Sequence, residues 1–199
     1  MNFRKVVINL PSRQDRRAEM CRVLEGIGWR DAEFFPAIRP DDAGDFESVG
    51  ARGCFLSHLA CLKLAGDDAL ILMEDDLNVT ADFLPRWDRA LAALPDDWAI
   101  FYPAHSLGDA TTPAGVHRVA PDVAVRCTHM MCFNPQVIPR IIERLGIILS
   151  RPAGHPLGGP MHVDGAYSTI RTQNPDLTTY ACEPALGFQR PSRSDIAAL

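Results

Sequence analysis

Apolar and polar positions recur along this chain with two periods, one for strands and one for helices. Residues 5–10 (KVVINL) are a β-branched apolar run ended by Pro11 and Ser12, and they predict a first strand. Asp15 then opens a stretch with Ala18, Cys21, Leu24 and Ile27 at helical spacing, stopped by Gly26 and Gly28. Residues 32–38, with Phe34 and Phe35, predict a short second strand, and residues 40–49 an acidic loop. Residues 50–65 are apolar on nearly every side, so they predict a buried helix. Residues 69–73 (ALILM) form a continuous apolar run, as in a strand covered on both faces. A helix is expected over 81–94, with Phe83, Trp87, Leu91 and Leu94 inward, and a buried strand over 98–102 (WAIFY).

The second half is less regular. Residues 105–113 read as a loop, and 116–119, 123–126 and 129–133 as short strands. A helix is expected over 135–149, a Pro/Gly loop over 151–160, a helix over 163–172 and a last strand over 179–182. Strands alternating with helices predict an α/β fold, a mostly parallel sheet flanked by helices. No internal repeat is visible.

The 199 residues suit a single domain, with a formal charge of −5 from 20 basic and 25 acidic side chains. The acidic balance argues against a duplex nucleic-acid binder but leaves room for a local basic pocket. No apolar run approaches the roughly 20 residues that span a bilayer, and the N-terminus does not read as a signal peptide. A cytoplasmic protein is expected, with no contact to membranes beyond a peripheral one. The six cysteines form no C-x-x-C pair and read as buried free thiols.

Four segments carry candidate chemistry. In LILMEDD (70–76) a buried strand runs into three carboxylates. Alternation would put Glu74 and Asp76 on one side, with Asp75 on the other, nearer a ribose or as a further ligand. Adjacent carboxylates repel unless a cation neutralises them, so Glu74 and Asp76 are candidate ligands for a hard divalent ion that also meets a diphosphate. A solvated acidic turn is the competing reading. In NLPSRQDRR (9–17), Arg13, Arg16 and Arg17 cluster at a strand-to-helix turn, where forked guanidinium groups suit a phosphate or nucleobase. Arg13 and Arg16, helped by Asn9, are the candidate nucleotide contacts, against a merely charged helix start.

In GARGCFLSH (50–58), two glycines permit close backbone approach to a ligand, while Ser57 and His58 interrupt an apolar face or are satisfied internally. In HVDGAY (162–167), Asp164 is a candidate general base with His162 as second candidate; a helix N-cap explains the same aspartate. The motifs of P-loop NTPases, zincins and α/β-hydrolases are absent.

Taken in order, INLPSRQDRRAEM, GCFLSHLACLKLA, LILMEDD, HVDGAY and ACEPALGFQRPSRSDI resemble glycosyltransferase family 25, which includes lipooligosaccharide transferases and collagen galactosyltransferases. The resemblance runs from Val6 to Ile196. It implies a GT-A fold and inverting, metal-dependent sugar transfer, as in lipopolysaccharide biosynthesis. The donor would be a UDP-sugar such as UDP-galactose, the metal manganese, and the acceptor a glycan or other hydroxyl. It also implies that Asn9, Arg13, Asp15, Arg16, Gly53, Ser57, His58 and Asp75 line the donor nucleotide, that Glu74 and Asp76 hold the metal, and that Asp164 is the base. Residues 1–104 would form the donor half and 105–199 the acceptor half. Pro11, Ser12, Arg52 and residues 37–40 depart from the family pattern. Those departures keep open a nucleotide-sugar-binding relative without activity, and the same acidic strand end leaves a metal-dependent phosphohydrolase open.

Overall fold

The computed structural model describes residues 2–107 and 114–191. Its first half runs β1 (Phe3–Asn9), α1 (Gln14–Gly26), β2 (Glu33–Pro36), α2 (Val49–Leu64), β3 (Ala69–Glu74), β4 (Leu77–Val79) and α3 (Phe83–Ala93). The second half runs β5 (Ile100–Ser106), β6 (Gly115–Val119), β7 (Arg126–Phe133), α4 (Ile138–Ser150), α5 (Val163–Gln173), β8 (Thr179–Glu183) and β9 (Gly187–Gln189). One sheet has the order β2-β1-β3-β7-β5-β8-β6, and β4 pairs with β9 in a separate ribbon. β1 is parallel to β2 and β3, and β5 to β8, whereas β7 and β6 are antiparallel to their neighbours. Five strands therefore point one way and two return. The mostly parallel sheet is confirmed, with two reversed strands in it.

Both faces of the sheet are covered, which is why its central strands read as unbroken apolar runs. Alternate residues feed separate cores. Val6, Ile8, Leu70, Leu72, Met131 and Phe133 pack with α2, α4 and α5. Val7, Ile71, Met73, Met130 and Cys132 pack with α1 and α3. Trp29, Phe83 and Trp87 form a ring cluster in the second core, with centroids 5.3–5.9 Å apart. Each such pair adds about 0.5–1.5 kcal/mol beyond its buried area.

The structure differs from expectation mainly in the second half. Residues 120–125 are a turn rather than a strand, and β7 is one continuous strand. Buried Arg171 fixes that turn by donating to the carbonyls of Ala120 and Val123 at 2.8 and 2.9 Å. β5 continues to Ser106, through the start of the expected loop, and residues 108–113 of that loop lie outside the described residues. So does the family-like stretch beyond residue 191. α4 begins at Ile138 because Asn134 first forms a turn, its side chain accepting the Gln136 N–H at 3.0 Å. β4 and β9 are three residues each, too short for alternation to register. All six cysteines are free, but Cys21 is exposed and Cys54 and Cys127 are half-buried, so only three fit the buried-thiol reading. Among the described residues, no helix is long and apolar enough to cross a membrane.

Candidate functional site

β1 and β3 are paired with Ile8 opposite Glu74, so Asn9 ends beside the acidic turn. Asn9 Nδ2 donates to Asp75 Oδ2 at 2.7 Å. From the first turn of α1, Arg16 Nη1 donates to Asp75 Oδ1 at 2.9 Å and to Asp76 Oδ2 at 3.4 Å. The far end of the chain closes over the same turn. Gln189 Nε2 donates to Asp76 Oδ2 at 3.0 Å, and the Arg190 N–H to the Asp76 carbonyl at 2.8 Å. Arg13 pairs with Asp15 at 2.8 Å, leaving Arg16 as the arginine of this turn that reaches the carboxylates.

The expected alternation of the three carboxylates does not hold. β3 ends at Glu74, and Asp75 and Asp76 are turn residues, so the period of two stops there. Asp75 and Asp76 share Arg16, whereas Glu74 meets His58 Nε2 at 3.4 Å and accepts the Thr128 hydroxyl. Burial works against the Glu74 charge, but His58 and Thr128 outweigh it and hold its carboxyl below the usual range. Burial and the nearby Glu74 charge push Asp76 up, to about 6. Asp76 Oδ1 is buried without a hydrogen-bond partner among the described residues. A buried carboxylate oxygen left open beside a second carboxylate fits a hard divalent cation.

α2 forms the opposite wall. Its N-cap Ser48 accepts the Ala51 N–H at 3.0 Å. Ser57 Oγ donates to the Gly53 carbonyl at 2.7 Å and accepts the Ile38 N–H at 2.8 Å, so it clamps the segment after β2 against the helix. Gly53 makes that approach feasible, since a Cβ there would lie 2.4 Å from the Ile38 carbonyl oxygen. Gly53→Ala should therefore push residues 37–40 outward and cost about 1–3 kcal/mol by overpacking. A melting curve checks this; an unshifted midpoint would mean that the segment yields freely.

On the other side, His58 is fully buried, with Nδ1 3.2 Å from the Tyr167 hydroxyl of α5. Asp164, one turn earlier on α5, accepts the N–H groups of Gly165 at 2.8 Å and Cys127 at 3.3 Å. Cys127 reaches it from a left-handed backbone, φ 66°. The N-cap position belongs to His162, so Asp164 is not the N-cap, although it does accept a first-turn N–H. His162 Nε2 lies 3.0 Å from Glu47 Oε2, on an exposed side chain.

Ile8, Ala37–Arg39, Gly53, Cys54, His58 and the carboxylates Glu74 to Asp76 enclose a cavity of about 190 Å³ beyond the ends of β1 and β3. Gln189 and Arg16 also line it. In open α/β sheets, ligands bind in that position.

The architecture is shared with solved structures. A glycosyltransferase involved in glycosylation of the PBCV-1 major capsid matches with a TM-score of 0.54 and 11% identity, over 97% of this chain and 95% of that one. A Drosophila β1,4-galactosyltransferase 7 variant, in complex with manganese, UDP-Gal and xylobiose, matches with a TM-score of 0.53 and 8% identity, over 97% and 72%. The fold is the GT-A fold.

No protein-family model matches the chain. In sequence, 117 residues are 29% identical to a protein of Acanthamoeba polyphaga mimivirus named "Putative glycosyltransferase". That is homology to a glycosyltransferase sequence, and it spans 50% of this chain and 36% of the viral one.

Within this GT-A frame, Asn9, Arg16, Gly53, Ser57, His58, Glu74, Asp75 and Asp76 come together at one cavity or in its walls, while Asp164 does not line it, although its charge acts on Cys54, which does. Arg13, Asp15 and His162 do not line the cavity. Sequence reasoning missed Gln189, Arg190, Thr128 and Tyr167. Three of these lie in strands, or just past one, that periodicity left indistinct. Tyr167 sits in the HVDGAY segment, where only the polar residues drew notice.

Proposed function

We propose that this chain transfers a sugar from a UDP-sugar to a hydroxyl of a glycan acceptor, with inversion at the sugar carbon and with the help of a divalent metal. The observation that carries this reading is the cluster of Glu74, Asp76 and Arg16 at a cavity beyond the parallel strands of a GT-A fold. UDP-galactose is the first donor to test, since the galactosyltransferase sharing the fold was solved with UDP-Gal and manganese.

Glu74 and the open Oδ1 of Asp76 would hold the metal, which supplies positive charge to the departing diphosphate. Arg16 adds a fixed guanidinium to the same side. Asp75, fixed by Asn9 and Arg16, faces the ribose, and Arg13 and Asp15 flank the nucleotide. The cavity is smaller than the roughly 300–1,000 Å³ of pockets that enclose whole ligands. It therefore takes one end of the donor, against Gly53, with Ser57 holding its wall.

The acceptor oxygen attacks the sugar carbon as the bond to UDP breaks, and its proton passes to Asp164. The two N–H groups on Asp164 hold the carboxylate in place for that transfer. Residues 1–104 serve the donor and residues 105–199 the acceptor, except that Gln189 and Arg190 return to the donor side.

Thermal melting with UDP-, GDP- and CMP-sugars, with and without manganese, tests the reading. A donor at 100 times its dissociation constant stabilises the chain by about 2.7 kcal/mol, or roughly 5–10 °C at this size. Only the UDP-sugar with manganese should give that shift. No shift with any nucleotide sugar would sink the proposal. Binding without transfer would favour the inactive relative, and phosphate release from UDP without an acceptor would favour the phosphohydrolase.

A further inference from the structure

We propose that Cys54, His58 and Glu74 form a second kind of metal site, for a borderline-soft divalent ion of the zinc class, with one coordination position open to the cavity.

Spacing and topology bring the three together. Cys54 and His58 are four residues apart on α2, so their side chains share one helix face. Glu74 comes to meet them from the end of β3. The ligating atoms of all three lie within 4.8 Å of one another. His58 Nε2 and Glu74 Oε1 are 3.4 Å apart. That is close to the edge of a tetrahedron with bonds of about 2.0–2.1 Å, roughly 3.3 Å. All three residues line the cavity, so a fourth ligand could enter from it.

The surroundings are those that metal-ligating side chains require. A ligating histidine usually has its other ring nitrogen bound, which fixes the ring. Here Nδ1 of the fully buried His58 lies 3.2 Å from the Tyr167 hydroxyl. A ligating carboxylate is likewise hydrogen-bonded, and the Thr128 hydroxyl donates to Glu74. The donor set decides which metal. Thiolate with imidazole and carboxylate selects zinc or cobalt over magnesium or manganese, which prefer oxygen alone. On binding, the Cys54 Sγ–H bond breaks, a sulfur–metal bond forms and the proton leaves to buffer.

This site shares Glu74 with the hard-ion pair of Glu74 and Asp76 but uses different partners, so it stands without the glycosyltransferase reading. Where both ions are present they compete for Glu74, and zinc opposes manganese-dependent donor binding.

Cobalt(II) titration of the full chain tests the proposal, because cobalt reports its ligands by colour. One equivalent should give a sulfur-to-cobalt charge-transfer band and the intense visible bands of a four-coordinate ion, both erased by one equivalent of zinc. Cys54→Ser should lose the charge-transfer band, and Cys21→Ser, at the exposed cysteine, should keep it. Glu74→Gln should keep the band but bind at least tenfold more weakly, and it decides the matter should Cys54→Ser fail to fold. Absence of the band in the parent, its survival in folded Cys54→Ser, or unchanged affinity in Glu74→Gln would each overturn the assignment.

Discussion

If the proposed manganese-dependent sugar transfer is correct, Asp76→Asn should lower it by about 10²–10³-fold, the usual cost of losing one preorganised electrostatic group. The variant keeps the fold, since Asn can still accept from Gln189. Its stability has a distinct sign. Asp76 titrates in the folded chain at about 6, above its ordinary 3.8, because burial and Glu74 disfavour its charge. Between those values the folded chain holds a proton that the unfolded chain has lost. The contribution of Asp76 to metal-free stability therefore falls as pH rises through that window. Asn has no such charge, so without metal the variant should melt above the parent at pH 7 and equally at pH 3. Manganese affinity of the parent should rise with pH through about 6. Calorimetric titration of manganese and UDP at several pH values checks this, and unchanged manganese-dependent UDP affinity in the variant would refute the assignment of Asp76.

Asp164→Asn should remove about 10²–10⁴-fold of turnover, the range for loss of a general base. Donor binding should remain, because Asp164 does not line the cavity proposed for the donor. Stability should fall modestly. The carboxylate accepts from both Gly165 and Cys127, whereas an amide has one oxygen, so one N–H loses its acceptor. A fully buried unsatisfied group costs about 1–3 kcal/mol, and these part-buried bonds set the loss at or below the lower end. Transfer rates, UDP affinity and melting midpoint measured on one preparation separate the roles. A lower midpoint with near-parental turnover would leave Asp164 as a clasp between α5 and the start of β7. A loss of turnover with KM for the donor unchanged, beside that modest fall in midpoint, marks the base.

The sequence by itself determined the elements whose apolar pattern is long: β1, β3, β5, α1, α2, α3 and the α4–α5 region. Such faces are buried whatever their partners, so periodicity records them locally; in α1 it recorded the helix but misplaced the face, since Ala18 and Cys21 are exposed and Arg16 and Met20 are buried with Leu24. It also marked a candidate site, because charge directly after a doubly buried strand is expensive unless a ligand or partner neutralises it. Glu74, Asp75 and Asp76 were legible for that reason, and Arg16 and Asp164 as charged residues in the first turn of a helix. Only the tertiary structure decided how these groups share the work. The strand period ends at Glu74, so the carboxylates divide between Arg16 and His58, contrary to alternation. Gln189 and Arg190 reach the acidic turn from over 110 residues away, through a three-residue strand without periodic signal. Ser57 and Gly53 gain their meaning from Ile38, and Cys54 from Glu74, partners set by helix docking rather than by sequence neighbours. Local pattern encodes which side of an element is buried. Which polar atoms then meet depends on how the elements pack, and nothing in the order of residues alone records that geometry.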